Sequence, residues 1–160
     1  MERILFVCLG NICRSPLAEA IFNHQVVDRG LQKHFLGHSC GTANYHIGVP
    51  PDSRTIRNAL KNGISIQHLG RQFDPLDFQS YDLILPMDRS NEGNLLRLDG
   101  VGLHRHKIKI MRAFDPIHTG ADVPDPYYGS EKDFQEVFDI LQRSVKGLIG
   151  FLETSRESNS

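Results

Sequence analysis

An apolar run that turns through a short loop straight into a helix is the strongest constraint on this fold. Arg3-Ile4-Leu5-Phe6-Val7-Cys8 is β-rich and apolar at successive positions, as a strand buried on both faces must be. Gly10 and Asn11 interrupt it, and Ser15-Pro16 opens a helical stretch, proline being suited to the first helical turn. A strand covered on both faces needs helices above and below it. The unit therefore predicts an α/β sandwich around a mostly parallel sheet.

The rest of the chain keeps that alternation. The first helix, with Leu17, Ala20, Ile21, His24 and Val27 at three-and-four spacing, should stop near Gly30. A second strand is expected over 35–40. A helix from Asp52 or Ser53 to Asn62-Gly63 would turn Ile56, Ala59 and Leu60 inward. A short helix should start at Asp74-Pro75, a third strand at 82–85, and a further helix should run to Leu98. Residues 107–111 alternate lysine with isoleucine, the pattern of an edge or half-buried strand. Residues 112–130 hold three prolines and two glycines without periodicity, which predicts one long loop of the kind that carries function. The last helix, 132–153, carries a stripe of Phe134, Val137, Phe138, Leu141, Val145, Leu148, Ile149 and Leu152. The expectation is a single domain over 1–153 and a polar, frayed tail over 154–160.

Bulk properties narrow the function. With 160 residues there is room for one domain with a real core. A net charge of -1 supplies no global basic field for nucleic acid or an anionic membrane, so an anionic substrate would need a local positive site. No apolar run reaches the roughly 20 residues of a bilayer span, and the opening segment is too short for a secretory leader. Three cysteines, an odd number, argue against a disulfide framework. A cytoplasmic setting with reduced thiols is expected.

In α/β sheets ligands bind beyond the carboxyl ends of the strands, where the loops after Cys8, Cys40 and Leu85 should gather. Cys8-Leu9-Gly10-Asn11-Ile12-Cys13-Arg14-Ser15 reads as a phosphate cradle. Gly10 and Asn11 tolerate the left-handed angles that curl successive N–H groups inward. The helix N-terminus adds positive potential, and Arg14 offers a planar fork for two phosphate oxygens. The same field should lower the pKa of Cys8, with Ser15 donating to the thiolate. A nucleophile inside an anion nest is what phosphoryl transfer to sulfur requires.

This loop, continued by Pro16-Leu17-Ala18-Glu19-Ala20, resembles the low-molecular-weight protein tyrosine phosphatase family. Ser39-Cys40-Gly41-Thr42, the run from Asp82 to Asn91, and Asp125-Pro126-Tyr127-Tyr128-Gly129 are similar to three further family segments in the same order. The resemblance implies a four-stranded parallel sheet with helices on both faces. It implies Cys8 as nucleophile through a phosphocysteine, Arg14 as phosphate clamp and Asp125 as general acid and base, with no cofactor or metal. Leu9, Gly10, Asn11, Ile12, Cys13 and Ser15 would form the cradle, Tyr45 and Tyr128 would line the cleft, and Ser39, His68 and Asp88 would support it. Substrates would be phosphotyrosine proteins or peptides and small aryl phosphates, with inorganic phosphate released by a monomer or weak homodimer. Cys13 would pair with an oxidised Cys8, and Tyr127 and Tyr128 would be phosphorylation candidates.

The residues agree with these roles. A phenolate leaves poorly unless protonated, and Pro124, Pro126 and the two tyrosines would stiffen and partly desolvate Asp125. Asp115-Pro116 is a second Asp-Pro without the following aromatics. Cys40 stands where the family usually has alanine, and His46 lies beside the expected specificity wall. The eight histidines are scattered, and His104 with His106 is by itself weak as a metal pair. Two alternatives share the cradle. A protein arginine phosphatase would carry a polar residue where Ile12 stands, and a thiol-dependent arsenate reductase would need more cysteines than Cys40 to relay a disulfide. A silent phosphate-binding module would lack one of Cys8, Arg14 and Asp125.

Overall fold

The computed structural model, which describes residues 1–159, has three parallel strands in the order β2-β1-β3. They are β1 (Glu2–Cys8), β2 (Phe35–Gly41) and β3 (Leu83–Pro86). β1 is central, with Phe6 facing Ser39 on one side and Leu85 on the other. Its alternation splits the core in two. Ile4, Phe6 and Cys8 face α1 (Arg14–Asp28) and α5 (Glu131–Ser158), whereas Leu5 and Val7 pack with Phe73, Phe78, Ile84 and Leu95. Leu95 belongs to α4 (Arg89–Leu98), and Phe78 to α3 (Asp77–Ser80). Helices therefore cover both faces, as the sequence predicts.

The expected fourth strand is not formed. Residues 107–111 make a single parallel bridge, Ile84 to Ile108, between two 3-10 turns, Arg105–Lys107 and Met111–Phe114. The alternation is real but the ladder has no length to grow. Lys107 Nζ reaches the Phe78 carbonyl, and Ile110 and Met111 are already turned into the core. Where four strands are expected the sheet has three, and the 107–111 segment joins it through that bridge alone.

Helix phases also differ in places. α1 buries Leu17, Ala18, Ile21, Phe22 and Val26 and leaves Val27 58% exposed, so its face is rotated from the expected one. Gly37 explains the closeness of α1 to β2, because a Cβ there would lie 2.8 Å from the Phe22 ring. In α2 (Ser53–Lys61) the buried residues are Thr55, Asn58 and Ala59, with Leu60 outward. α5 buries every residue of its predicted stripe and continues to Ser158, so the polar stretch after Glu153 is helical through that residue. A capping box between Ser130 and Asp133 starts it. Among the described residues no helix is long and apolar enough to cross a membrane.

Candidate active site

The carboxyl end of β1 delivers Cys8 to the bottom of a cleft of about 360 Å³, together with Leu9, Gly10, Ile12, Cys13 and Arg14. Three loop carbonyls are tied outward: Thr42 N–H donates to Cys8 O, Ala43 N–H to Leu9 O and Asp52 N–H to Ile12 O, at 2.8–3.0 Å. With these carbonyls held, the Asn11 N–H turns to Cys8 Sγ, the kind of backbone curl that suits an anion. α1 begins at Arg14 with no side-chain cap and no acidic residue in its first turn, which keeps its N-terminus available for negative charge.

Asn11 fixes the curvature. It is the one non-glycine residue with positive φ, at 58°, among the described residues. Its Nδ2 donates to Ser15 Oγ at 2.8 Å and to Ser39 Oγ at 3.1 Å, and its Oδ1 accepts from Arg71 N–H at 3.0 Å and His68 Nε2 at 2.7 Å. Asn11 and Ser15 are thus buried beneath the cradle, supporting the cleft without lining it. Gly10 does not need the left-handed angles expected of it. It needs room, since a Cβ there would stand 3.1 Å from the His46 ring. Gly41 lets the loop lean on β2, as a Cβ would come within 2.7 Å of Leu9 O.

Cys8 Sγ lies 3.0 Å from Ser15 Oγ and 3.3 Å from the Asn11 N–H. The Ser15 hydroxyl is also within donating distance of Cys40 O, at 3.3 Å. Arg14 is 3% exposed and doubly held, its Nη1 donating to Asp88 Oδ2 at 2.7 Å and to Val123 O at 3.0 Å. Burial works against its charge, but Cys8, Asp88 and Asp125 together hold its pKa above the ordinary value. Asp88 also caps α4 by accepting from Asn91 N–H, which locks the Arg14 anchor to the end of β3. Cys13 is buried, and that burial pushes its thiol up to about 12, so it stays protonated. Burial likewise raises Cys40, a wholly enclosed core thiol.

Asp125 projects from the long loop toward Arg14, with Oδ2 3.6 Å from Nη2 and half of its side chain exposed. Its Oδ1 accepts from Tyr127 N–H at 3.1 Å, an Asx turn that sets the loop's direction. Tyr45, Tyr127 and Tyr128 stand at the rim, and Tyr128 is 97% exposed. The structure therefore brings Cys8, Arg14, Asp125, the cradle and the predicted walls to one cleft. It adds His46 and Tyr127 as lining residues.

Behind the cradle lies a network that the motifs do not display. Glu19 Oε1 is 3.5 Å from His68 Nδ1, and the His68 Nε2–H donates to Asn11. Burial raises Glu19 to about 7 and lowers His68, so burial moves each toward its neutral form. Arg71, whose backbone reaches Asn11, pairs through its side chain with Asp77 at 3.0 Å. Glu19 sits four residues after Ser15 on the same helix, a spacing that places it near the cradle. Nothing in the sequence locates Arg71.

Comparison with known proteins matches the chain over nearly its whole length. The family model described as low molecular weight phosphotyrosine protein phosphatase matches residues 3–158. The low molecular weight phosphotyrosine protein phosphatase of Gallus gallus is 42% identical over 150 residues, covering 93% of this chain and 94% of its own. The crystal structure of a protein tyrosine phosphatase from Entamoeba histolytica is similar with a TM-score of 0.94 at 37% identity, covering 98% and 99% of the two chains. A Drosophila arginine phosphatase structure is similar with a TM-score of 0.86 at 30% identity, covering 95% and 98%. The cysteine that accepts the Asn11 N–H and shares its cleft with a buried arginine and an aspartate thus lies within a chain that belongs to the low molecular weight phosphotyrosine protein phosphatase family.

Proposed function

We propose that this protein hydrolyses phosphotyrosine in proteins and peptides, and small aryl phosphates, through a phosphocysteine on Cys8. The observation that carries the reading is the seat of the Cys8 sulfur, which accepts from the Asn11 N–H and lies 3.0 Å from Ser15 Oγ, in a cleft that Arg14 and Asp125 also line. The thiolate attacks phosphorus in line while Arg14 and the loop N–H groups hold the equatorial oxygens. The ester O–P bond breaks, and Asp125 gives its proton to the phenolate leaving group. Asp125 then takes a proton from water as that water attacks the phosphocysteine. The S–P bond breaks, the sulfur departs as thiolate with help from Ser15, and inorganic phosphate leaves.

Hydrolysis of an aryl phosphate at mildly acid pH with chelator present tests this. Turnover by the native protein and its abolition in Cys8→Ser are expected, while activity that survives Cys8→Ser refutes the mechanism. The arginine-phosphatase alternative is weighed at Ile12, which puts an aliphatic wall on the cleft where a phosphorylated guanidinium would seek a polar contact. Faster turnover of phosphoarginine than phosphotyrosine peptides would overturn the substrate assignment.

The same reading places the protein in a reducing compartment such as the cytoplasm, acting as a monomer or weak homodimer. It also includes reversible oxidation. Peroxide converts the Cys8 thiolate to a sulfenic acid, and the Cys13 thiol displaces water from that sulfur to form a disulfide. Thiol should restore activity, and recovery that is unchanged in Cys13→Ser would refute the protective role.

A further inference from the structure

The cleft over Cys8 does not end at its tyrosine rim. Ile12, His46 and Tyr127, which line it, also line a second groove of about 530 Å³ that runs along residues 49–53 to the start of α2. Arg54 and Arg57 line that groove and also a third hollow, of about 640 Å³, between α2 and the first turns of α5. The groove thus shares walls with the cleft on one side and with the hollow on the other, so a chain leaving the cleft past Tyr127 heads toward Arg54 and Arg57.

The cations along this path are not equivalent. Arg54 is engaged. Its Nε and Nη2 hold the Asp52 carboxylate at 3.1 and 2.8 Å, and its guanidinium stacks on Tyr127 and Phe134 at 5.5 and 4.7 Å. Lys61 is engaged by Glu131. Arg57, three residues beyond Arg54 on α2, is exposed and makes no ion pair or side-chain hydrogen bond among the described residues. Asp52 and Glu131 feel its charge without closing on it. Three cations thus face two carboxylates, and the surplus charge sits on Arg57. The groove between it and the cleft is floored by Val49, Pro50 and Pro51, and prolines have no N–H to be left unpaired beneath a bound chain.

Resting on the phosphatase reading, we propose that this groove is a subsite for an acidic side chain flanking the phosphotyrosine, with Arg57 as the residue that reads it. An extended peptide advances roughly 3.3 Å per residue, so a carboxylate within a few residues of the phosphotyrosine can reach from the cleft into the groove. Arg54 braces the wall between the two through its stack on Tyr127. Arg57 supplies the charge. The contact is exposed, which makes it a discriminator among substrates and not a source of large affinity.

The test is steady-state kinetics on neutral phosphotyrosine peptides in which one glutamate is walked through the flanking positions, with an aryl phosphate as a turnover control. Glutamate at one or two positions on one side should raise kcat/KM about two- to fivefold, chiefly through KM. Arg57→Ala should bring the glutamate-to-neutral ratio to one. Arg57→Glu should invert it and prefer lysine at the same position. Raising the salt should shrink the native ratio. The subsite is overturned if no position gives a gain, or if the ratio is the same in Arg57→Ala. Absence of turnover on every substrate, the aryl phosphate included, overturns the phosphatase reading and the subsite with it.

Discussion

Two Asp-Pro pairs ten residues apart in one loop, Asp115-Pro116 and Asp125-Pro126, have opposite fates. Both aspartates make an Asx turn, accepting from Ile117 N–H and Tyr127 N–H respectively, and both lie near arginine. Asp115 is wholly buried and saturated. Arg112 Nε reaches one oxygen at 2.9 Å, and the Arg143 guanidinium spans both at 2.9 and 3.1 Å. Burial alone would raise its pKa, but Arg143, the turn and Arg112 together drive it well below the ordinary carboxylate range. Asp125 has a single arginine at 3.6 Å and half of its surface in solvent. A carboxylate with every lone pair taken by arginine and backbone donors is a structural anion. One left partly unsatisfied keeps the ability to carry a proton between two partners, which is what an acid that later becomes a base must do.

The comparison can be broken by exchanging the two roles. Asp125→Asn should lower kcat by about 10²–10⁴ on substrates with poor leaving groups, with unfolding free energy within about 0.5 kcal/mol of the native protein. An equal loss on an aryl phosphate with a very acidic phenol would show that Asp125 does not supply the leaving-group proton. Asp115→Asn should cost about 3 kcal/mol in denaturant unfolding, because it strands two arginines at a buried position. Its kcat should remain close to native once folded. An Asp115→Asn protein of native stability would mean that the hub is redundant.

A third, smaller effect sharpens the contrast with pH. Asp115 has a folded pKa below its unfolded value of 3.8, so its contribution is present above that pH and is lost as pH falls toward the folded pKa. Acid unfolding of the native protein should therefore steepen below about pH 4, and Asp115→Asn should be flatter there by about 1–2 kcal/mol over the accessible range. Identical acid slopes would contradict the assignment. The smallest effect concerns the rim. Tyr128→Ala, at a side chain almost wholly in solvent, should change stability by less than about 0.5 kcal/mol, and a shift of several degrees in Tm would show packing that its exposure does not suggest.

How much of this was legible in the sequence depends on the span of the interaction. The cradle was readable because its parts lie within eight residues, and a strand end, a Gly-Asn break and a Ser-Pro start each constrain their neighbours locally. The stripe of α5 was readable for the same reason, its periodicity being carried by one helix. The inward face of α1 was not, because Ala18 and Phe22 are chosen by the close approach of β2 at Gly37, a contact set by the sheet and not by helical spacing. The fourth strand failed because alternation describes a residue's faces and says nothing about whether the ladder continues; Ile108 meets Ile84, the second residue of β3, but the segment turns into the Met111–Phe114 3-10 turn before further pairs form. Arg71 and the Arg112–Asp115–Arg143 hub were invisible, since their partners stand up to 60 residues away in sequence. The family resemblance named Asn11 and His68, and only the structure shows that Glu19 stands behind them.

The Asn11 amide has a further consequence, for kinetics and inhibition. All its hydrogen-bonding capacity is taken up by Ser15, Ser39, His68 and the Arg71 backbone, so protein groups set the curvature of the loop. An anion arriving there has no chain to order, and its capture loses little conformational entropy. That readiness does not distinguish substrate from product. Free phosphate meets the same donors at the same angles, so it should compete with substrate throughout turnover, and in a cell the enzyme's pace would follow the phosphate pool as well as the supply of phosphotyrosine.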